Sequence, residues 1–113
     1  MNLPLKILKD KYKYKKTIFK LYKIAAKKNH TVAIWLLARC YEFGMGTKKD
    51  KVEAAKWYLK SAQDGFVWAM YSIGLCYKYG DGVEKDYKKA VEWYAKSAKQ
   101  ENACGQNALG MCY

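Results

Sequence analysis

Apolar and polar positions follow a helical period along this chain, and the whole pattern returns after 36 residues. Between 31 and 43, Ala33, Leu37 and Tyr41 recur at every fourth position, with the small Ala38 beside Leu37. That spacing is the apolar stripe of an amphipathic helix. The same stripe recurs at Ala69, Ile73, Gly74 and Tyr77. A second pattern covers 51–63 and 87–99, where Ala54, Trp57, Tyr58, Ser61 and Ala62 fall at i, i+3, i+4, i+7 and i+8, again one face of a helix. Two helices per unit are therefore predicted, an A helix at 31–43 and 67–79 and a B helix at 51–63 and 87–99. No alternating strand pattern is present, so the class is all-α.

The segments between the helices read as punctuation. GMGTKKD (44–50) and GDGVEKD (80–86) place glycines where the chain must leave one helix and turn. Asp50 and Asp86 then stand where a carboxylate caps the first turn of the next helix, and Glu53 has the spacing of a capping box. A phosphate-cradling reading of the Gly-rich loops fails because the Gly-Lys-Ser/Thr ending is missing. Asn29 or Thr31 is expected to cap the first A helix, with His30 as a turn residue.

The register divides the chain into residues 1–30, a basic helical segment that is a worn half repeat or cap; 31–66 and 67–102, two full units; and 103–113, a unit cut off after its A helix. In the first segment Tyr14, Ile18, Leu21, Tyr22 and Ala25 form the stripe expected to dock on the first unit. The last segment leaves Leu109 and Tyr113 uncovered, which points to a piece of a longer array or to self-association through the open C-terminal edge.

The full pattern, A-x-x-x-[LI]-[AG]-x-x-Y-x-x-G-x-G-[TV]-x-x-D-x-x-x-A-x-x-W-Y-x-K-S-A, resembles the Sel-1-like repeat, a relative of the tetratricopeptide repeat. The resemblance covers 31–102, the half unit after it and, weakly, 10–29. It implies a right-handed α-solenoid of antiparallel helix pairs whose A helices line a concave surface. It also implies a non-catalytic adaptor that assembles protein complexes. In some secreted members a disulfide joins the two helices of a unit; the corresponding B-helix positions here are Ala62 and Ala98, so that variant is not expected.

On the implied concave face the chain places Trp35, Arg39 and Phe43 from the first A helix. From the second come Trp68, Tyr71, Leu75, Lys78 and Tyr79. Aromatic and Arg side chains off the core face are the usual anchors of a protein or peptide partner, and packing between adjacent units is the competing use for them.

Charge adds a second surface. The net charge is +12 over 113 residues, and residues 1–30 hold ten lysines against the single acid Asp10. Lys11, Lys13, Lys15, Lys16, Lys20, Lys23, Lys27 and Lys28 form a basic patch. It is either a solvated helix face or a contact for nucleic acid or an anionic membrane. No nucleic-acid motif accompanies it.

Chemistry is the weakest class. Cys40, Cys76 and Cys112 are spaced by the repeat, with Cys104 apart from them, which is not a disulfide framework. Helices stacked roughly 8–10 Å apart hold such thiols too far from one another to bridge, so Cys40 and Cys76 are expected free and buried. His30 is the single histidine, and no nucleophile–base or metal-ligand grouping is visible. No cofactor and no enzymatic activity are expected. The longest apolar run, Val32 to Ala38, is far short of a membrane span, and the basic opening lacks the apolar core of a signal peptide. A cytoplasmic protein is the default.

Overall fold

A computed structural model describes residues 5–100 and 106, with side chains for 13–100 and 106. The expectations for 103–113, among them Cys104, Leu109, Cys112 and Tyr113, and for the side chain of Lys11 lie outside the described residues. Five helices follow one another: α1 (Leu5–Lys27), α2 (Thr31–Phe43), α3 (Lys51–Gln63), α4 (Val67–Tyr79) and α5 (Tyr87–Lys99). Among the described residues there is no strand, and no helix is long and apolar enough to cross a membrane. The architecture is an α-solenoid of antiparallel pairs, with α2 packed on α3, α4 on α5, and α1 and α3 each against the A helix that follows.

Local chemistry fixes the helix ends. Gly44 and Gly80 take left-handed backbone (φ 69° and 70°) and return their N–H groups to the carbonyls of Cys40 and Cys76. Asp50 and Asp86 cap α3 and α5, each carboxylate accepting the N–H of the residue three further on, at 3.0 and 3.1 Å. The capping box is only half formed. The Asp50 N–H donates to the Tyr41 carbonyl at 2.8 Å, which leaves the Glu53 side chain nothing to satisfy there, and Glu53 instead lies 3.9 Å from Lys56. The start of α2 also departs from expectation. His30 occupies the cap position without a side-chain bond, and Asn29 takes the left-handed turn at φ 62°. Gly65 makes the matching turn at φ 96°, 36 residues on.

The core runs through both pairs. Ala38, Ala54, Ala55, Tyr58, Ala62, Ala69, Met70, Ile73 and Cys76 form its largest part, and Ile34, Leu37 and Ala26 bind α1 to α2. Small residues let the helices close: Ala54 and Ala90 are buried at equivalent positions. Ser61 donates to the Thr31 carbonyl at 2.9 Å and ties the C-terminal end of α3 to the start of α2.

The loops make the contact between units. Gly46 rests on the Lys15 carbonyl of α1, and Gly82 rests on the Lys51 carbonyl of α3. Both pairs are related by the same 36-residue step. Toward the first unit, α1 thus takes the place that α3 takes toward the second. Its docking face shares only Tyr22 with the expected stripe. Phe19, Tyr22 and Ala26 pack on α2, while Tyr14, Ile18 and Leu21 stay exposed. The reason is register: Phe19 and Ala26 match Ala55 and Ala62, the α3 residues turned to the next A helix.

Candidate functional site

Along α2 and α4, side chains outside the core gather into one belt. Trp35 links the two helices. Its indole N–H donates to the Ser72 hydroxyl at 3.1 Å, and that hydroxyl donates back to the Trp68 carbonyl at 2.9 Å. The indole also meets the Phe66 ring edge-on, with centroids 5.5 Å apart. Trp35 is half-buried and packs against the main core cluster. Tyr71 is similar: half-buried, its ring is 6.0 Å from that of Tyr94. Leu75 joins it against Ala90 and Tyr94.

The outer members of the belt are Arg39, Phe43, Trp68 and Tyr79. Arg39 is exposed, its guanidinium 5.0 Å from the Trp35 ring centroid and 5.9 Å from that of Phe43, within reach of a cation–π attraction. Phe43 and Tyr79 occupy equivalent positions and are 59% and 62% exposed. Trp68 is 43% exposed, and Val32, its equivalent, 51%. Lys78 is half-buried, its ammonium 5.4 Å from the Tyr79 ring. The eight residues named from sequence therefore divide: Trp35, Tyr71 and Leu75 are engaged in packing, Arg39, Phe43, Trp68 and Tyr79 face solvent, and Lys78 is half-buried beside Tyr79.

Glu42 belongs to the site although the sequence pattern did not single it out. It accepts the Tyr58 phenol at 2.7 Å. Burial first, then the hydrogen bond and charge of Glu42, push the Tyr58 phenol above its ordinary range. This bond joins α2 to α3 beneath the belt. The signal that finds it is the charge reversal at the matching position, Lys78.

The basic patch is a separate surface. Lys13, Lys15, Lys16, Lys20, Lys23, Lys27 and Lys28 are all exposed, and Lys23 lies 5.8 Å over the Phe19 ring. No carboxylate occurs in the sequence between Asp10 and Glu42.

Among the described residues, reactive groups do not converge. Cys40 and Cys76 are free and buried. Burial, ahead of nearby carboxylates, pushes the Cys76 thiol up to about 12, and burial raises Cys40 as well. Among the described residues no three His, Cys, Asp or Glu side chains group as metal ligands would. His30 is exposed on its turn.

Comparison with known proteins matches these repeats. The model of the Sel1 repeat matches residues 19–30, 31–66 and 69–102. The crystal structure of c5321, a protective antigen of uropathogenic Escherichia coli strains displaying an SLR fold, is 41% identical, with a TM-score of 0.81 over 82% of this chain and 20% of that one. A Sel1 repeat protein from Oxalobacter formigenes is 36% identical, with a TM-score of 0.82 over 87% of this chain and 40% of that one. An exopolysaccharide production negative regulator of Rhizobium meliloti (strain 1021) is 43% identical over 44 residues, 39% of this chain and 16% of that protein. The chain spans less than half the length of each of these relatives.

Proposed function

The chain belongs to the Sel1 repeat family, and from that premise we propose that it is a non-catalytic scaffold that captures a protein or peptide partner on the face lined by α2 and α4. Proteins of this family generally serve as protein-interaction scaffolds. One observation carries the reading for this chain. Phe43 and Tyr79 repeat at equivalent positions on successive A helices and leave most of their rings in water, while the helices beneath them are held by Trp35, Ser72 and the Glu42–Tyr58 bond.

A large apolar group kept exposed gains nothing for the fold, and aromatic rings with Arg beside them are the groups that anchor interfaces. Spaced by one repeat, the two rings offer successive anchor points to an extended or helical segment. Arg39 stacked between Trp35 and Phe43, and Lys78 against Tyr79, supply donors for carboxylates or backbone carbonyls of that segment.

Affinity capture from cell extract with the intact chain and with the Phe43→Ala/Tyr79→Ala pair tests the reading. A partner retained by the first and lost by the second, with both equally helical by circular dichroism, supports it. Identical captured sets would sink it.

A further inference from the structure

α1 carries a second apolar stripe that the solenoid does not use. Tyr14, Ile18 and Leu21 are 70%, 43% and 58% exposed. With Ala25 they follow steps of four, three and four, the spacing of a seam between two helices. Ile24, 55% exposed, widens the stripe on its outer side. Phe19, Tyr22 and Ala26, which dock on α2, leave this seam on a different face.

The repeat register says what belongs on such a face. Ile18, Leu21 and Ala25 match Ala54, Trp57 and Ser61 of α3, and Ala90, Trp93 and Ser97 of α5. In those helices these positions turn to the A helix of the same pair: Ser61 reaches Thr31 of α2, and Trp57 packs with Ile34 and Leu37. The seam of α1 is thus the A-helix side of a B helix whose A helix is missing from the described residues. The preceding stretch of chain does not supply one by the usual route. Residues 8–14 match the loop and cap of 44–50, yet α1 runs helical through all of them from Leu5. There is no turn where an A helix would join.

Charge selects the occupant. Lys13, Lys20 and Lys27 are exposed and stand seven residues apart, in a row along the outer border of the stripe. Lys28 continues the seam itself. A second copy of α1 would bring an equal array of lysines against these, with no carboxylate between Asp10 and Glu42 on either side. Like charges in such rows repel. The rest of the stripe is aliphatic apart from Tyr14, which suits neither base stacking nor a phosphate strand alone.

We propose that the Tyr14–Ile18–Leu21–Ala25 seam of α1 receives an acidic amphipathic helix from a partner protein, seated where an A helix sits in the complete pairs. The partner helix brings small and aliphatic residues at three- and four-residue steps, and Glu or Asp opposite the lysine row. This surface is distinct from the α2/α4 face and stands independently of the reading given for it.

The probes are two synthetic helical peptides sharing a Leu/Ala seam, one flanked by glutamates and one by lysines, titrated against the full chain at low and moderate salt. The acidic peptide binds at least tenfold more tightly than the basic one, and more weakly as salt rises. Ile18→Asn with Leu21→Asn weakens it at least tenfold and lowers the melting temperature only slightly, since neither side chain is buried in the solenoid. Lys13→Gln, Lys20→Gln and Lys27→Gln together flatten the salt dependence. Phe43→Ala/Tyr79→Ala leaves the binding unchanged. The proposal is overturned if the two peptides bind alike or if the acidic peptide does not bind. It is also overturned if the seam variants are without effect, or if Leu21→Asn instead abolishes dimerisation of the chain. Tighter stripe-dependent binding to phosphatidylserine vesicles or to oligonucleotides than to the acidic peptide also overturns it.

Discussion

Gly74 of α4 and the ring of Tyr94 in α5 pack with no space for a β-carbon between them: one built on Gly74 would lie 2.5 Å from Cε1 and 2.7 Å from Cδ1. The matching pair in the first unit is Ala38 and Tyr58. The same architecture thus accommodates a methyl group in one unit and excludes it in the next.

Gly74→Ala is expected to destabilise the fold although alanine is the better helix former by about 1 kcal/mol. Tyr94 is fully buried, so its ring cannot swing aside. Overpacking of this kind costs about 1–3 kcal/mol, which outweighs the propensity gain. The checks are urea unfolding curves of the variant and of Ala38→Gly. Loss of stability in the first, and a loss of about 1 kcal/mol in the second, fit this geometry; a more stable Gly74→Ala protein does not.

Gly82 and Gly65 make a sharper comparison. Both have positive φ, 75° and 96°, so alanine is strained at either. At Gly65 nothing lies within 4 Å of the added β-carbon, whereas at Gly82 it would run into the Lys51 carbonyl and meet the Val52 nitrogen at 3.0 Å. Gly65→Ala should therefore cost about 1 kcal/mol from backbone strain alone. Gly82→Ala should cost clearly more, because the loop must lift off α3 and loosen the contact between units. Chemical denaturation ranks the two, and equal losses would remove the role given to the loop contact.

The buried thiols impose a pH dependence of known sign. The ordinary value for a cysteine thiol is 9.0, and that of Cys76 in the fold is pushed up to about 12 by burial and by Glu42. Above pH 9 the unfolded chain ionises this thiol and the folded chain does not. Unfolding then releases a proton, and stability falls as pH rises. This contribution is fully present below pH 9 and is lost between about 9 and 12. The raised Cys40 thiol and Tyr58 phenol act in the same direction. Urea midpoints at pH 7.5, 9.0 and 10.0 should stay level and then decline, with a shallower decline in Cys76→Ala. Mass mapping after a thiol reagent at pH 8 should find Cys40 and Cys76 unmodified in the folded chain and modified in urea.

Much of this fold was legible because each signal was local and occurred twice. The helix pattern at 31–43, 51–63, 67–79 and 87–99, and the Asp50 and Asp86 caps, needed only periodicity and the residues beside it. What escaped was the second face of each helix. Trp35 is half-buried and bonded to Ser72 of α4, yet it lies off the Ala33–Leu37–Tyr41 stripe, because a solenoid helix touches its own partner and the neighbouring unit. The same cause misplaced the docking face of α1. A stripe read on one helix finds where apolar residues gather, but the partner decides which of two apolar faces is covered. Glu53 illustrates a different limit: its spacing fitted a capping box, but the Tyr41 carbonyl, 9 residues upstream of Asp50, had already taken the Asp50 N–H.

That second face also decides how the belt on α2 and α4 should respond to mutation. Trp35 and Phe43 lie on the same helix and both touch Arg39, but only Trp35 reaches across to α4 through Ser72 and packs on Phe66. Truncating it removes a half-buried indole from the main core and leaves Ser72 without its donor. Trp35→Ala is therefore expected to cost about 2–4 kcal/mol, toward the lower part of the range for aromatic truncation because the ring is not fully covered. Phe43→Ala removes a ring that is mostly in water and should shift stability by less than about 0.5 kcal/mol. Thermal melts of the two variants separate fold from surface. If Phe43→Ala melts as early as Trp35→Ala, the exposed ring is holding the helices together and its assignment to partner capture falls. If it melts with the parent chain, any loss of captured protein in the Phe43→Ala/Tyr79→Ala pair reports on the interface itself.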